Sequence, residues 1–247
     1  MLELINDVEM YVKNNIQTFH TARINKLTEL NLKKLLKSKN PYLYKAKNLN
    51  NPGEIIYNIA SAFLSSAEES MFGDWLEGLA IFVASKVYGG RKSAAESIDL
   101  EMDKDGIHYF ISIKSGPKWS NANSKKKLID HFNKAKRIYR TSNNHTPCEV
   151  IEGCCYGVEN KPQKDTHIKL CGQKFWEFIS GSDTLYLDII EPLGIDSLKR
   201  NEEYKVEFDK MITRFTSDFV KEYCDDTGSI LWDKIVRLNS GHKRSER

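Results

Sequence analysis

Residues 97–115 carry the pattern that most restricts what this chain can become. Ile98, Leu100 and Met102 alternate with Ser97, Asp99 and Glu101; after Asp103-Lys104-Asp105-Gly106 a second alternating run extends from Ile107 to Ser115. Alternation of period two gives a strand two distinct faces. Two such runs joined by a short polar segment ending in Asp-Gly predict a β-hairpin with glycine at the left-handed position. Gly116-Pro117 ends the second strand, and 124–140 then reads as a basic helix with Leu128, Ile129, Phe132, Ala135 and Ile138 on its apolar side.

Around the hairpin the pattern is mostly helical. Leu4, Val8, Tyr11 and Val12 form one stripe of helical period, and Leu27, Leu30, Leu32, Leu35 and Leu36 a second, ended by Asn40-Pro41. After Asn51-Pro52-Gly53 helix is expected over 54–65, then over 75–87, the two separated by Ser70-Met71-Phe72-Gly73-Asp74. Beyond the basic helix, strands are expected at 148–158 and 167–171, a short helix at 173–179, a short strand at 184–190, and helices at 200–224 and 228–238. This order predicts an α/β (α+β) domain with a mixed central sheet flanked by helices. The expected divisions are an N-terminal helical region, 1–50, a core, 51–195, and a C-terminal helical region, 196–247.

Charge is segregated along the chain. Residues 114–140 hold nine basic side chains and one acid, and residues 21–50 hold eight and one, so these segments carry +8 and +7. Since the whole chain totals only +3, the remainder carries −12. Two basic segments in an acidic body predict a surface built for a polyanion rather than a uniformly basic coat protein. The cleanest apolar run, Leu79–Ala84, is far shorter than the roughly 20 residues of a membrane span. An acidic rather than basic start argues for the cytoplasm. Five cysteines are an odd number, and no CxxC pair exists. Cys148, Cys154, Cys155 and Cys171 with His145 and His167 are therefore read as small core residues rather than a zinc site. No phosphate-binding glycine motif is present, and nothing locates a Cys–His catalytic pair.

Chemistry concentrates on the hairpin. Ile111 and Ile113 point one way and Ser112 and Lys114 the other, with Asp99 and Glu101 beside the Ser112/Lys114 face. A lysine closing an apolar strand opposite an aspartate can be a surface ion pair, worth about 0.2–1 kcal/mol. It can also mark a site where a hard cation such as Mg²⁺ takes a carboxylate and the Ile113 carbonyl.

Asp99, the hairpin, Ser112-Ile113-Lys114-Ser115-Gly116 and the basic helix together resemble the core of PD-(D/E)xK nucleases, in particular type II restriction endonucleases. The helix with Phe72-Gly73 and Glu77, the Tyr156-Gly157 strand end, the Phe175-Trp176-Glu177-Phe178 helix and the C-terminal helices fall in the same order as in some such enzymes. The likeness covers 40–240 loosely and 70–180 best. Ile98 replaces the family's proline, a harmless change. Ser112 stands at the (D/E) position, so one metal-binding carboxylate must come from elsewhere. Glu77, on the helix before the first core strand, is the leading candidate, with Asp130, Glu101 and Glu96 as rivals.

The resemblance implies Mg²⁺ held by Asp99, Glu77 and the Ile113 carbonyl, and Lys114 orienting and activating water. It further implies cleavage of double-stranded DNA to 5′-phosphate and 3′-hydroxyl ends. A homodimer matching a palindrome, with the terminal helices as the dimerising parts, and a separate cognate DNA methyltransferase that forms no stable complex are expected with it. DNA contacts are expected from Lys118, Asn121, Asn123 and Ser124 at the basic helix's N-terminus, followed by Lys125, Lys126 and Lys127. Trp119 either joins them or packs beneath the loop. Two other readings stay open: a catalytically silent DNA-binding protein, motivated by Ser112, and a nuclease of repair or recombination.

Overall fold

The computed structural model describes residues 2–142, 146–195 and 197–242; His145 lies outside them. The chain divides into two compact units, Met1–Gln17 with Phe72–Ile195, and Thr18–Met71 with Asp196–Arg247. Two of the three divisions fall inside long helices, α1 (Leu2–Glu29) and α4 (Pro52–Tyr88).

The first unit is built on a five-stranded sheet in the order β1 (Arg91–Lys92), β2 (Leu100–Lys104), β3 (Ile107–Lys114), β4 (Cys148–Cys154), β5 (Ile168–Cys171). β1, β2 and β3 are antiparallel, while β3–β4 and β4–β5 are parallel. Lys104 pairs with Ile107, leaving Asp105 and Gly106 as a two-residue turn with φ of 52° and 76°. That is the Asp-Gly hairpin chemistry expected of the sequence. Parallel β3 and β4 require a crossover, and α5 (Ala122–Thr141) supplies it. Leu128, Phe132 and Ala135 of α5 pack with Ile98, Phe110, Cys148 and Val150 over one sheet face. On the other face α6 (Gln173–Ser180) lays Phe175 against Gly153, where an added Cβ would lie 2.3 Å from the ring. Lys104 donates to the Phe178 carbonyl in the last turn of α6 at 2.9 Å, where the helix dipole favours a cation.

The second unit is helical. Leu27 of α1, Leu32, Leu35 and Leu36 of α2 (Leu32–Lys37), and Tyr44 of α3 (Pro41–Ala46) join its core. Ile55, Ile56 and Leu64 of α4, Met211, Phe215 and Phe219 of α9 (Ser197–Tyr223), and Ile235 of α10 (Trp232–Ser240) complete it. Asn239 donates to the carbonyls of Leu36 and Lys39, both at 3.1 Å, satisfying the end of α2. Residues 21–50, one of the basic segments, lie in this unit, and 114–140, the other, in the first.

Several expected boundaries are corrected. α4 is one continuous helix, because Gly73 sits inside it at a close contact rather than at a break. Leu30-Asn31 interrupts the second leucine stripe: the Asn31 side chain caps α2 through the Lys34 N–H. Asn40-Pro41 begins a helix instead of ending one, with Asn40 as N-cap and proline in the first turn. Residues 184–190 form no strand but the short helices α7 (Leu185–Asp188) and α8 (Ile190–Leu193). Leu185 and Ile189 are buried four residues apart, while Leu187 and Ile190 are exposed, so burial follows the helical period. β4 ends at Cys154, short of Val158, as the chain turns at Gly157 with φ 92°. Ile98 precedes β2 and packs with Phe110 on the α5 side rather than with Leu100 and Met102.

Candidate active site at the end of the hairpin

Asp99 lies just before β2, directly across from Ser112 if the β2–β3 register is continued by one residue. Its Oδ2 accepts the Ile113 backbone N–H at 2.6 Å and the Ser112 hydroxyl at 3.3 Å. The carboxylate is thereby tied to the strand that ends in Lys114. Lys114 Nζ donates to the Ile113 carbonyl at 2.9 Å, lies 3.6 Å from Asp99 Oδ2, and stands 5.3 Å from the Trp119 ring centroid. This is a partly shielded cation–carboxylate pair and not the open cross-strand pair of an ordinary hairpin, since the two side chains are only 23% and 19% exposed.

α4 brings the second acid. At Gly73 an added Cβ would lie 3.2 Å from Ser115 Cβ, so the helix backbone closely approaches the end of β3. Glu77 is one helical turn further along that side. Burial, then the charges of Asp99 and Asp74, raise the Glu77 pKa, while Lys92 and Lys114 pull it down. Glu77 also pairs with Lys92 at 3.6 Å. Glu77, Asp99 and Lys114 thus share one electrostatic neighbourhood.

Of the rival acids, Glu101 and Glu96 are engaged elsewhere and Asp130 faces solvent. Glu101 pairs with Arg91 at 2.9 Å and accepts from Ser93 at 2.6 Å. Glu96 lies 3.6 Å from Lys134 and 3.7 Å from His131, and Asp130 is exposed on α5. Ser112, expected on the face opposite Ile111 and Ile113, is fully buried because the sheet is covered on both sides.

Among the described residues no three His, Cys, Asp or Glu side chains converge as a metal cluster. Two carboxylates and a backbone carbonyl nonetheless suit Mg²⁺, which keeps several waters and takes substrate phosphate as its remaining ligand. The donor chemistry fits that ion.

The segment after Lys114 leads into α5. Asn121 is the N-cap, its side-chain oxygen accepting from the Ser124 N–H at 3.0 Å and the Ser124 hydroxyl at 3.1 Å. Lys118, Asn123, Lys125, Lys126 and Lys127 are exposed. Trp119 is half-buried, and its indole N–H donates to Glu152 at 2.8 Å.

The model of one protein family, type II restriction endonuclease EcoO109I, matches residues 6–201. The chain belongs to this family. No curated protein matches it. The mixed sheet flanked by helices is a restriction-endonuclease-like fold, and membership makes the chain a site-specific deoxyribonuclease that binds DNA. Restriction endonucleases as a group use a divalent metal. No helix among the described residues is long and apolar enough to cross a membrane.

Sequence reasoning passed over Glu152, a buried acid of this endonuclease. Glu152 on β4 pairs in register with Ser112 on one side and with Lys169 of β5 on the other. Its carboxylate accepts from Lys169 at 2.6 Å, His167 at 3.1 Å and Trp119 at 2.8 Å. Burial would raise its pKa, but those donors outweigh burial and hold it at about 2. The available signal was Glu152, in the middle of the largely apolar run 150–155, matched by a lysine inside 168–171. The buried Cys155 thiol is pushed up to about 12 by burial and so is no nucleophile at neutral pH.

Proposed function

We propose that this restriction endonuclease hydrolyses double-stranded DNA with Mg²⁺ held by Asp99, Glu77 and the Ile113 carbonyl, leaving 5′-phosphate and 3′-hydroxyl ends. The observation that carries the reading is the placement of Lys114 Nζ within 2.9 Å of the Ile113 carbonyl and 3.6 Å of Asp99. Held by these residues, the ion would supply Lewis acidity to polarise the phosphodiester and lower the pKa of the attacking water. Lys114 orients that water by hydrogen bonding and stabilises negative charge gathering on the phosphorus oxygens. Asp99, fixed by two donors from β3, holds its carboxylate toward the lysine without reorganising. The water oxygen bonds to phosphorus, the bond to the 3′ oxygen breaks, and that oxygen leaves with a proton as the 3′-hydroxyl.

Lys118, Asn121, Asn123 and Ser124 meet the DNA at the start of α5, and Lys125, Lys126 and Lys127 follow its backbone. The enzyme acts as a homodimer through its terminal helices, its two-fold axis matching two scissile phosphates. Supporting this, Leu198, Val206 and Val220 of α9 are exposed apolar residues, falling within an arc of about 80° at helical spacing. Five free cysteines suit a reducing cytoplasm, where a separate methyltransferase would protect the host DNA.

The alternative is a silent DNA-binding protein, favoured by Ser112 at the acid position. Incubation of plasmid DNA with protein and Mg²⁺ decides between them: discrete fragments support the restriction reading. A smear means non-specific cleavage, and plasmid bound but intact means the silent reading. Lys114→Ala that cuts normally overturns the assignment of the site.

A further inference from the structure

The segment joining β3 to α5 is held by the neighbouring strands β4 and β5 and by the residues that follow β4. Cys155 N–H donates to the Lys114 carbonyl at 2.9 Å and Tyr156 N–H to the Ser115 carbonyl at 3.1 Å, continuing the parallel pairing past the strand ends. Lys169 Nζ reaches back to the Pro117 carbonyl at 3.1 Å, and the Trp119 indole reaches Glu152 at 2.8 Å. Glu152 and Lys169 are 3% and 6% exposed and lie 2.6 Å apart.

A buried ion pair of this kind is poor value for stability, because desolvation cancels much of the attraction. The Glu152 oxygens are also committed: one takes Trp119 and Lys169, the other His167. That leaves little room for a metal. What the pair does is geometric, since both residues reach the segment that follows Lys114, and the Trp119 ring is where the Lys114 ammonium rests at 5.3 Å.

We infer that Glu152 is a positioning residue: by holding the Trp119 indole it sets the wall beside Lys114, and with Lys169 it fixes the segment that leads into α5. The inference rests on the nuclease reading, in which Lys114 orients the attacking water. Glu152 acts through Trp119 and touches neither DNA nor water itself.

The test is a double-mutant cycle between Glu152→Gln and Trp119→Phe, which keeps a ring but loses the indole donor. Single-turnover cleavage of plasmid DNA in Mg²⁺ is measured beside retention of the same plasmid in a gel with Ca²⁺ in place of Mg²⁺. Each single variant is expected to cut about 10-fold more slowly, as for other supporting residues, while DNA retention changes less than about threefold. Glu152→Gln trades the charged acceptor for a weaker neutral one and Trp119→Phe removes the donor, so both act on the same contact. The double variant should therefore cut no more slowly than the worse single one. The indole ¹⁵N–¹H spectrum, with four tryptophans in the chain, reports on folding and on the contact. The resonance lost in Trp119→Phe is that of Trp119, and Glu152→Gln should move it.

Wild-type cleavage rates in both folded variants overturn the inference. So do additive losses, or a loss of retention equal to the loss of rate, which makes Trp119 a DNA contact. Should Glu152→Gln fail to fold, Trp119→Phe alone decides by its rate and retention. A wild-type chain that binds DNA without cutting it overturns the nuclease reading, and the positioning role with it. Cutting by wild type together with unimpaired variants overturns only the positioning role.

Discussion

Asp99 Oδ2 accepts the backbone N–H of Ile113 at 2.6 Å, so the acid before β2 is clamped to the strand that ends in Lys114. The clamp pre-organises the pair, because the carboxylate need not search for its orientation when DNA arrives.

Replacing Asp99 with Asn keeps an acceptor for the Ile113 N–H but removes the charge. Cleavage of plasmid DNA in Mg²⁺ should fall by at least ~100-fold, beyond the usual cost of losing an outer-shell partner, while the melting temperature in EDTA stays close to wild type. Replacing Asp99 with Ala should cost both cleavage and stability, because the buried N–H loses its partner, at about 1–3 kcal/mol.

Glu77 is raised by burial and by the charge of Asp99, so in metal-free protein two acids oppose one another. Glu77→Gln should therefore stabilise the metal-free chain by ~0.5–2 kcal/mol while abolishing Mg²⁺-dependent cutting, a trade common at functional sites. Chemical denaturation in EDTA checks the first half. A variant that cuts at the wild-type rate would return the missing carboxylate to Asp130, Glu101 or Glu96.

The pH dependence of stability should carry the mark of Glu152, held at about 2 against an ordinary 4.5. A lowered carboxylate pKa contributes fully above the ordinary value, and that contribution is lost as pH falls from about 4.5 to about 2. Glu152→Gln leaves Lys169 buried without its counter-charge and should cost ~3–5 kcal/mol at pH 7. The gap between variant and wild type in urea melts should narrow below pH 4.5 and not above it.

Two glycines should respond differently to alanine. At both Gly153 and Gly116 an added Cβ would lie 2.3 Å from a ring, that of Phe175 and Tyr156 respectively. Phe175 is fully buried and has nowhere to go, so Gly153→Ala should cost at least ~1–3 kcal/mol by overpacking. Tyr156 is 54% exposed and can swing aside. Gly116→Ala should therefore melt closer to wild type, with its loss appearing in the cleavage rate as the segment after Lys114 shifts.

The hairpin, its Asp105-Gly106 turn, the basic helix α5 and the nearness of Asp99 to Lys114 were legible in the sequence alone. Each follows from a local rule: alternation, helical period, turn chemistry, and the register that a two-residue turn imposes. The order of elements, read with the Asp99–Lys114 motif, was enough to place the chain among restriction endonucleases. Other features depended on which distant surfaces meet. Residues 184–190 alternate like a strand, yet Leu185 and Ile189 are the ones buried, and they make helix. Gly73 reads as a helix break until it is seen packed against Ser115. Glu152 reads as an acid like Glu149 until β4 is set between β3 and β5, which puts it beside Ser112 and Lys169. Parallel register between strands joined by a crossover is not encoded by any local turn. Packing over the whole sheet decides it, and with it which buried charge finds a partner.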